Sequence, residues 1–181
     1  MTIDFPLWVY ISCSWRGDLD DERAVVEDLV RKDLLMHPVY GRSSELDIVS
    51  DYLMRLSDCD IAIVLLGSKY SKHVEKEFIY ALNVYEIPTL VFKKNCEREK
   101  RLQDKIDSIY HYTSITPFKN KSELKKVVKE RIIELVGRRY KMQLQIEKTI
   151  KQMIGSQIMV NYPKVPETEY KEREGRIDRR E

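Results

Sequence analysis

Several things are scarce in this 181-residue chain, and each shortage closes off a class of protein. Cysteine occurs three times, at Cys13, Cys59 and Cys96, an odd number at wide spacing. That pattern builds neither a disulfide framework nor a paired metal-ligand motif, so no metal site is expected. No apolar run nears the ~20 residues that a membrane span needs. The opening Met1-Thr-Ile-Asp-Phe-Pro6 lacks the charged-then-apolar layout of a signal peptide, and the expectation is a cytoplasmic domain without membrane association. A surplus of one charge is missing too. Lys and Arg number 32 against 30 Asp and Glu, a formal net charge of +2, which does not support a strongly basic nucleic-acid binder. Glycine is sparse at 6, and no Gly-x-Gly-x-x-Gly or P-loop sequence is present. What the chain does have is 43% hydrophobic residues, enough for a sizeable core, and 34% charged residues.

Short apolar runs alternate with helical patterns. Leu7-Trp-Val-Tyr-Ile11 is nearly continuous in its apolarity, as a strand covered on both faces requires, and leads into a loop from Ser12 to Asp18. Asp18 or Asp20 can cap a helix with Val25, Val26, Leu29 and Val30 on one stripe. Met36 to Tyr40 reads as a second strand ended by Gly41, and Ser43 or Ser44 opens a helix carrying Leu46, Val49, Leu53 and Leu56. The strongest strand, Ile61 to Leu66, stops at Gly67. Next come a helix with Val74, Phe78, Ala81, Leu82 and Tyr85 on one face, and a strand from Ile87 to Phe92. A charged helix over 97–110 and a weak fifth strand over about 113–118 complete the series. Strand–helix repetition of this kind predicts an α/β fold, a five-stranded parallel sheet with helices on both faces.

The last third differs. Ser122 can cap a long amphipathic helix through Val128, Ile132 and Leu135, which Gly137 is expected to interrupt. Helical spacing resumes with Met142, Ile146, Ile150 and Met153 and ends near Gly155. Two readings stay open: a final helix covering the sheet plus an extension, or a self-association helix. From Pro163 to Glu181 the chain is almost entirely charged, the composition of a disordered tail. The expected organisation is an α/β domain over 1–137, a helical extension over 138–158 and a charged tail over 159–181.

In an open parallel sheet, ligands bind beyond the carboxyl ends of the strands, where the strand order reverses. Three loops therefore matter, and each feeds a helix N-terminus whose amides suit an anion. The first offers Ser12, Ser14, Trp15 and Arg16, the second Tyr40 and Arg42, and the third Gly67, Ser68, Tyr70 and Ser71. Arg16 or Arg42 could hold phosphates, and Trp15 or Tyr70 could stack on a base. Glu77 stands out: at 100° per residue it lies beside the apolar stripe of its helix, with the small Ala81 one turn on leaving space next to it. A carboxylate there could brace an oxocarbenium-like sugar, form a glycosyl ester or hydrogen-bond a ribose hydroxyl. It could equally be a half-buried Glu paired with Arg16 or Arg42. Glu75, on another face, reads as solvated. Cys13 has no evident base, Ser71 and His73 lack a third triad member, and His37 and His111 are isolated.

Three stretches resemble a known family, one of them Ile48 to Tyr70, which is similar to that family's second helix and third strand. Val9-Tyr-Ile-Ser-Cys-Ser-Trp-Arg-Gly-Asp18 resembles the opening strand and loop of Toll/interleukin-1 receptor (TIR) domains. With Asp21-Glu-Arg-Ala-Val25 it is similar to a prokaryotic TIR-like family of unknown function, often fused ahead of NTPase modules. Ser68-Lys-Tyr-Ser71-Lys-His-Val74-Glu-Lys-Glu77-Phe-Ile-Tyr-Ala81-Leu, followed by Ile87-Pro-Thr-Leu-Val, is similar to the TIR segment in which a Ser, an aromatic and a Glu lead into the third helix. The likeness spans roughly Leu7 to Phe92, with His73 where that family usually has Trp and an extra charged segment before the fifth strand. It implies a flavodoxin-like, doubly wound sheet in three αβα layers, and a role in prokaryotic defence or signalling. It also implies a site in which Glu77 is catalytic for cleavage of the N-glycosidic bond of NAD. NAD or a related nucleotide would be substrate, with no bound cofactor, and the active form a homo-oligomer. Many TIR domains are adaptors, so a non-enzymatic self-associating module with a protein partner remains open. The Glu-x-x-x-Ala spacing also resembles the nucleophile region of nucleoside 2-deoxyribosyltransferases, which implies deoxyribosyl transfer as a further alternative.

Overall fold

A computed structural model describes residues 6–13, 18–40, 48–109 and 113–161, apart from the side chains of residues 48–50, 52 and 155–161. The chain divides into two compact units, residues 1–134 and 135–181. In the first, strands β1 (Trp8–Cys13), β2 (His37–Val39), β3 (Ile61–Leu66), β4 (Thr89–Lys94) and β5 (Ile115–Phe118) form one all-parallel sheet in the order β2-β1-β3-β4-β5. Between them run α1 (Asp20–Asp28), which continues through a π-helical turn over Leu29–Asp33, α2 (Ile48–Ser57), α3 (Lys72–Asn83) and α4 (Lys100–Ile109); α5 is Lys121–Asn161. This is the doubly wound, flavodoxin-like order, which reverses direction between β1 and β3.

Strand alternation sorts the side chains into two cores. Tyr10 pairs with Ala62, Ser12 with Val64, and Val64 with Val91, so these residues share one face. There Tyr10 and Ala62 pack with Leu53 and Leu56 of α2 and Ala81 of α3, while Val64 and Val91 pack with Phe78 of α3 and Leu102 and Ile106 of α4. The opposite face carries Val9, Ile11, Cys13, Ile63, Leu65 and Phe92, all buried. Here Arg23 of α1 lies against the Cys13 thiol. The start of α5 is tied to α1 by Lys121–Asp21 at 2.8 Å and to the π-helical turn after it by Lys125–Asp33 at 3.0 Å. Leu124, Val128 and Ile132 of α5 are wholly buried, each contributing roughly 1.5–3 kcal/mol.

Several local expectations are corrected. β1 extends to Cys13, which puts Ser12 inside the strand and not in a loop. Neither Asp18 nor Asp20 caps α1: Leu19 holds the N-cap position with no side-chain bond, because Asp18 is turned toward the loop after β3. Three acidic residues in the first turn, Asp20, Asp21 and Glu22, meet the helix dipole instead. β4 starts at Thr89, since the Ile87 amide closes α3 on the Ala81 carbonyl at 2.8 Å and Pro88 has no amide to give. In α5 the Asn120 side chain, not Ser122, accepts from the Glu123 amide at 2.9 Å.

Gly137 does not interrupt α5, nor does Gly155 end it; the helix is one element of 41 residues. A lone glycine costs a helix about 1 kcal/mol relative to alanine, which flanking turns of good helix formers outweigh. In the second unit the described residues, 135–161, all belong to α5. Tyr140, Met142, Leu144, Ile146, Ile150, Met153 and Ile154 are exposed there. The charged tail from residue 162 on lies outside the described residues. No helix among the described residues is long and apolar enough to cross a membrane.

Candidate functional site

The order reversal between β1 and β3 places the carboxyl ends of those strands beside the start of α3. Ser71 opens α3 as its N-cap, its hydroxyl accepting from the Val74 amide at 3.4 Å, and this fixes the phase of the helix. In that phase Glu77 turns inward toward β1. It is 6% exposed, one of three buried polar or charged residues among those described. Its Oε1 accepts from the Tyr10 hydroxyl at 3.0 Å and its Oε2 from the Ser12 hydroxyl. Tyr10 and Ser12 reach the same carboxylate because residues i and i+2 of a strand point to the same face. Burial pushes the Glu77 carboxyl above its ordinary range, and the two hydroxyl donors oppose that shift without reversing it.

Glu77 is thus more deeply buried than the half-buried side chain expected. Ala81 belongs to the core cluster that also holds Tyr10, Leu53 and Leu56. Arg16 and Arg42, the cations proposed as its partners, lie outside the described residues, as do Ser14 and Trp15. The Tyr10 contact escaped the sequence reading. A tyrosine midway along a strand covered on both faces needs a partner for its hydroxyl, and that was the available signal.

The loop after β3 is fastened from two sides. Asp18 Oδ2 accepts from the Ser68 amide at 2.6 Å, the Ser68 hydroxyl at 2.8 Å and the Lys69 amide at 3.2 Å. Asp18 Oδ1 is buried with no hydrogen-bond partner among the described residues. A Cβ on Gly67 would come within 2.9 Å of Leu19 Cγ and collide with the Asp18 carboxylate, so only glycine allows this approach. From the other side, Glu99 accepts from the Tyr70 amide at 3.1 Å, and its own amide donates to the Ser68 carbonyl at 2.9 Å.

The remaining candidates separate from Glu77. Gly67, Tyr70 and Ser71 line a cavity of about 190 Å³ between α3 and α4, and Glu77 is not part of its lining. The Tyr70 ring lies under the Arg101 guanidinium, 4.0 Å from its centroid, and its hydroxyl donates to Glu75. Glu75 is not simply solvated: Lys105 Nζ sits 2.6 Å away and, with the Tyr70 hydroxyl, holds the carboxyl below its ordinary range. Tyr40, at the end of β2, donates to Glu27 at 2.9 Å.

Burial pushes the Cys13 thiol up to about 11 and, helped by Asp60 and Asp58, the Cys59 thiol to about 12. Neither is a thiolate at neutral pH. No group of three or more His, Cys, Asp or Glu among the described residues is placed to hold a metal. No family model, curated protein or solved structure matches the chain.

Proposed function

We propose that this domain binds NAD or a related nucleotide at the β1/β3 switch point and cleaves its N-glycosidic bond, with Glu77 as the catalytic carboxylate. One observation carries the reading. A buried glutamate, held by two hydroxyls of β1 and by no cation among the described residues, lies beside the strands between which the sheet order reverses. The resemblance of the segments around Ser12 and Glu77 to TIR domains that cleave NAD supports the same reading. In this mechanism the C1′–N bond breaks and its electron pair goes to the pyridinium nitrogen, so nicotinamide leaves neutral. The Glu77 carboxylate stabilises the oxocarbenium-like sugar. Water then adds to C1′ and gives up its proton. Tyr10 and Ser12 are positioning residues that hold the carboxylate. Because Glu77 acts ionised while burial raises its carboxyl, kcat/KM climbs with pH above the ordinary glutamate range.

The test is nicotinamide release from NAD by concentrated wild type and by Glu77→Gln, with melting curves showing that both are folded. Release by wild type and its loss, by about 100-fold or more, in Glu77→Gln is the expected result. Equal release by the two, or none by folded wild type, overturns the reading.

A second reading, a self-associating interaction module, is favoured by the exposed apolar residues of α5. Met142, Ile146, Ile150 and Met153 fall on one stripe at helical spacing. It predicts an oligomer that becomes monomeric when the chain is cut after Gly137. An unchanged mass in sedimentation removes it.

A further inference from the structure

The cavity between α3 and α4 has a chemistry of its own. Its body is formed by Val64, Leu66, Val74, Phe78, Leu102 and Ile106, with no ionisable group among them. At about 190 Å³ it is somewhat larger than a 150 Å³ apolar cavity that stays dry and accepts benzene. A single ring or a chain of about six carbons is the matching size.

The polar residues of the lining are Lys69, Tyr70, Ser71, Glu75, Lys105 and Ser108. Lys105 and Ser108 also belong to a second, more open depression, shared with Lys100, Arg101 and Asp104. The apolar cavity and a charged vestibule therefore adjoin along α4. Their charges do not cancel. Lys105 is engaged by Glu75 at 2.6 Å, which leaves Lys69, Lys100 and Arg101 set against Asp104 and against Glu99, whose carboxylate sits on the Tyr70 amide at 3.1 Å, a balance that is still cationic. Arg101 is held in place over the Tyr70 ring and donates to its hydroxyl at 3.2 Å. An apolar chamber with a cationic entrance selects a molecule with an apolar body and an anionic end.

We infer that the α3–α4 cavity binds a small amphiphilic anion, its six-carbon-sized body inside and its carboxylate in the vestibule of Lys100 and Arg101. Glu77 takes no part in this site, so the inference stands or falls separately from NAD cleavage.

The experiment titrates methyl-labelled full-length protein with hexanoate and, in parallel, with hexylammonium, which has the same chain and the opposite charge. Hexanoate shifts the methyl signals of Ile79, Ile106 and Ile109, which line the cavity, and leaves Ile11 and Ile63 in place. Its affinity exceeds that of hexylammonium at least tenfold, and added salt narrows the gap. The paired change Lys100→Glu and Arg101→Glu abolishes that preference. Both residues are exposed in the first turn of α4, where acidic residues suit the helix dipole, so the fold survives. Ile79→Trp, at a position 42% exposed, fills the chamber and removes binding of both probes. Three outcomes overturn the inference: no shift at the three isoleucines up to the solubility limit, equal affinity for the two probes, or an undiminished preference in the double variant.

Discussion

Glu75 and Glu77 are two residues apart on α3, yet the protein treats them as different chemical groups. At 100° per residue they point 200° apart, one toward α4 and the cavity mouth, the other toward β1. Glu75 meets Lys105 at 2.6 Å and the Tyr70 hydroxyl, and its carboxyl is held down. Glu77 meets two neutral hydroxyls inside the core, and burial drives its carboxyl up. An ion pair at a half-open rim stabilises a carboxylate, whereas neutral donors in the interior only reduce the cost of keeping one there.

The largest expected effect comes from breaking the buried side of the comparison. Glu77→Ala removes the carboxylate that accepts from the Tyr10 and Ser12 hydroxyls and opens a void in the core, at a cost of about 3 kcal/mol. Glu75→Ala loses a rim contact that solvent and salt already weaken, so its loss is much smaller and shrinks as ionic strength rises. Urea titrations of both variants in low and high salt measure the contrast. Similar losses in the two would mean that Glu77 is not held as described.

A second, intermediate effect is a pair of opposite pH slopes. The Glu77 carboxyl is raised in the native state, so native protein keeps a proton that the unfolded chain has released. Stability therefore falls as pH rises from the ordinary glutamate value, near 4.3, through the native one, and the Glu77→Gln variant lacks that fall. The Glu75 carboxyl is lowered, so its contribution is present above the ordinary value and is lost as pH drops through the native one. Melting temperatures of wild type, Glu77→Gln and Glu75→Gln across this range give the two differences. Differences that run in the same direction would contradict the assignment of either carboxyl.

Much of this arrangement was legible in the chain, for identifiable reasons. Ile61 to Leu66 reads as a doubly covered strand because all six side chains are apolar, and all six are buried. Glu77 was visible through helical phase, since Val74, Phe78 and Ala81 fix the inward face of α3. Local rules failed where a distant residue made a better offer. Asp18 is a fitting cap for α1, but three donors from Ser68 and Lys69, fifty residues away, capture it instead. Glu75 reads as solvated because nothing nearby in sequence marks Lys105 as its neighbour. Gly137 reads as a stop, yet a single glycine without a following proline or a demand for positive φ does not end a helix.

A third glutamate, just past the end of the same helix, gives the smallest effect and the opposite sign. Glu86 closes α3 with a φ of 51°, in the left-handed region that favours glycine. The conformation is enforced from both sides: the Tyr85 amide turns back to the Tyr80 carbonyl at 2.9 Å, and the Ile87 amide to Ala81 at 2.8 Å. Ile87 is buried, which anchors the turn in the core, while the Glu86 side chain is exposed. An L-residue in this region costs about 1–2 kcal/mol, and glycine's extra freedom when unfolded takes back roughly 0.5–1 of that. Glu86→Gly should therefore stabilise the domain by about 0.5 kcal/mol, seen as a raised urea midpoint with an unchanged slope. A loss of stability would mean that the Glu86 side chain makes a contact worth more than the backbone strain it imposes.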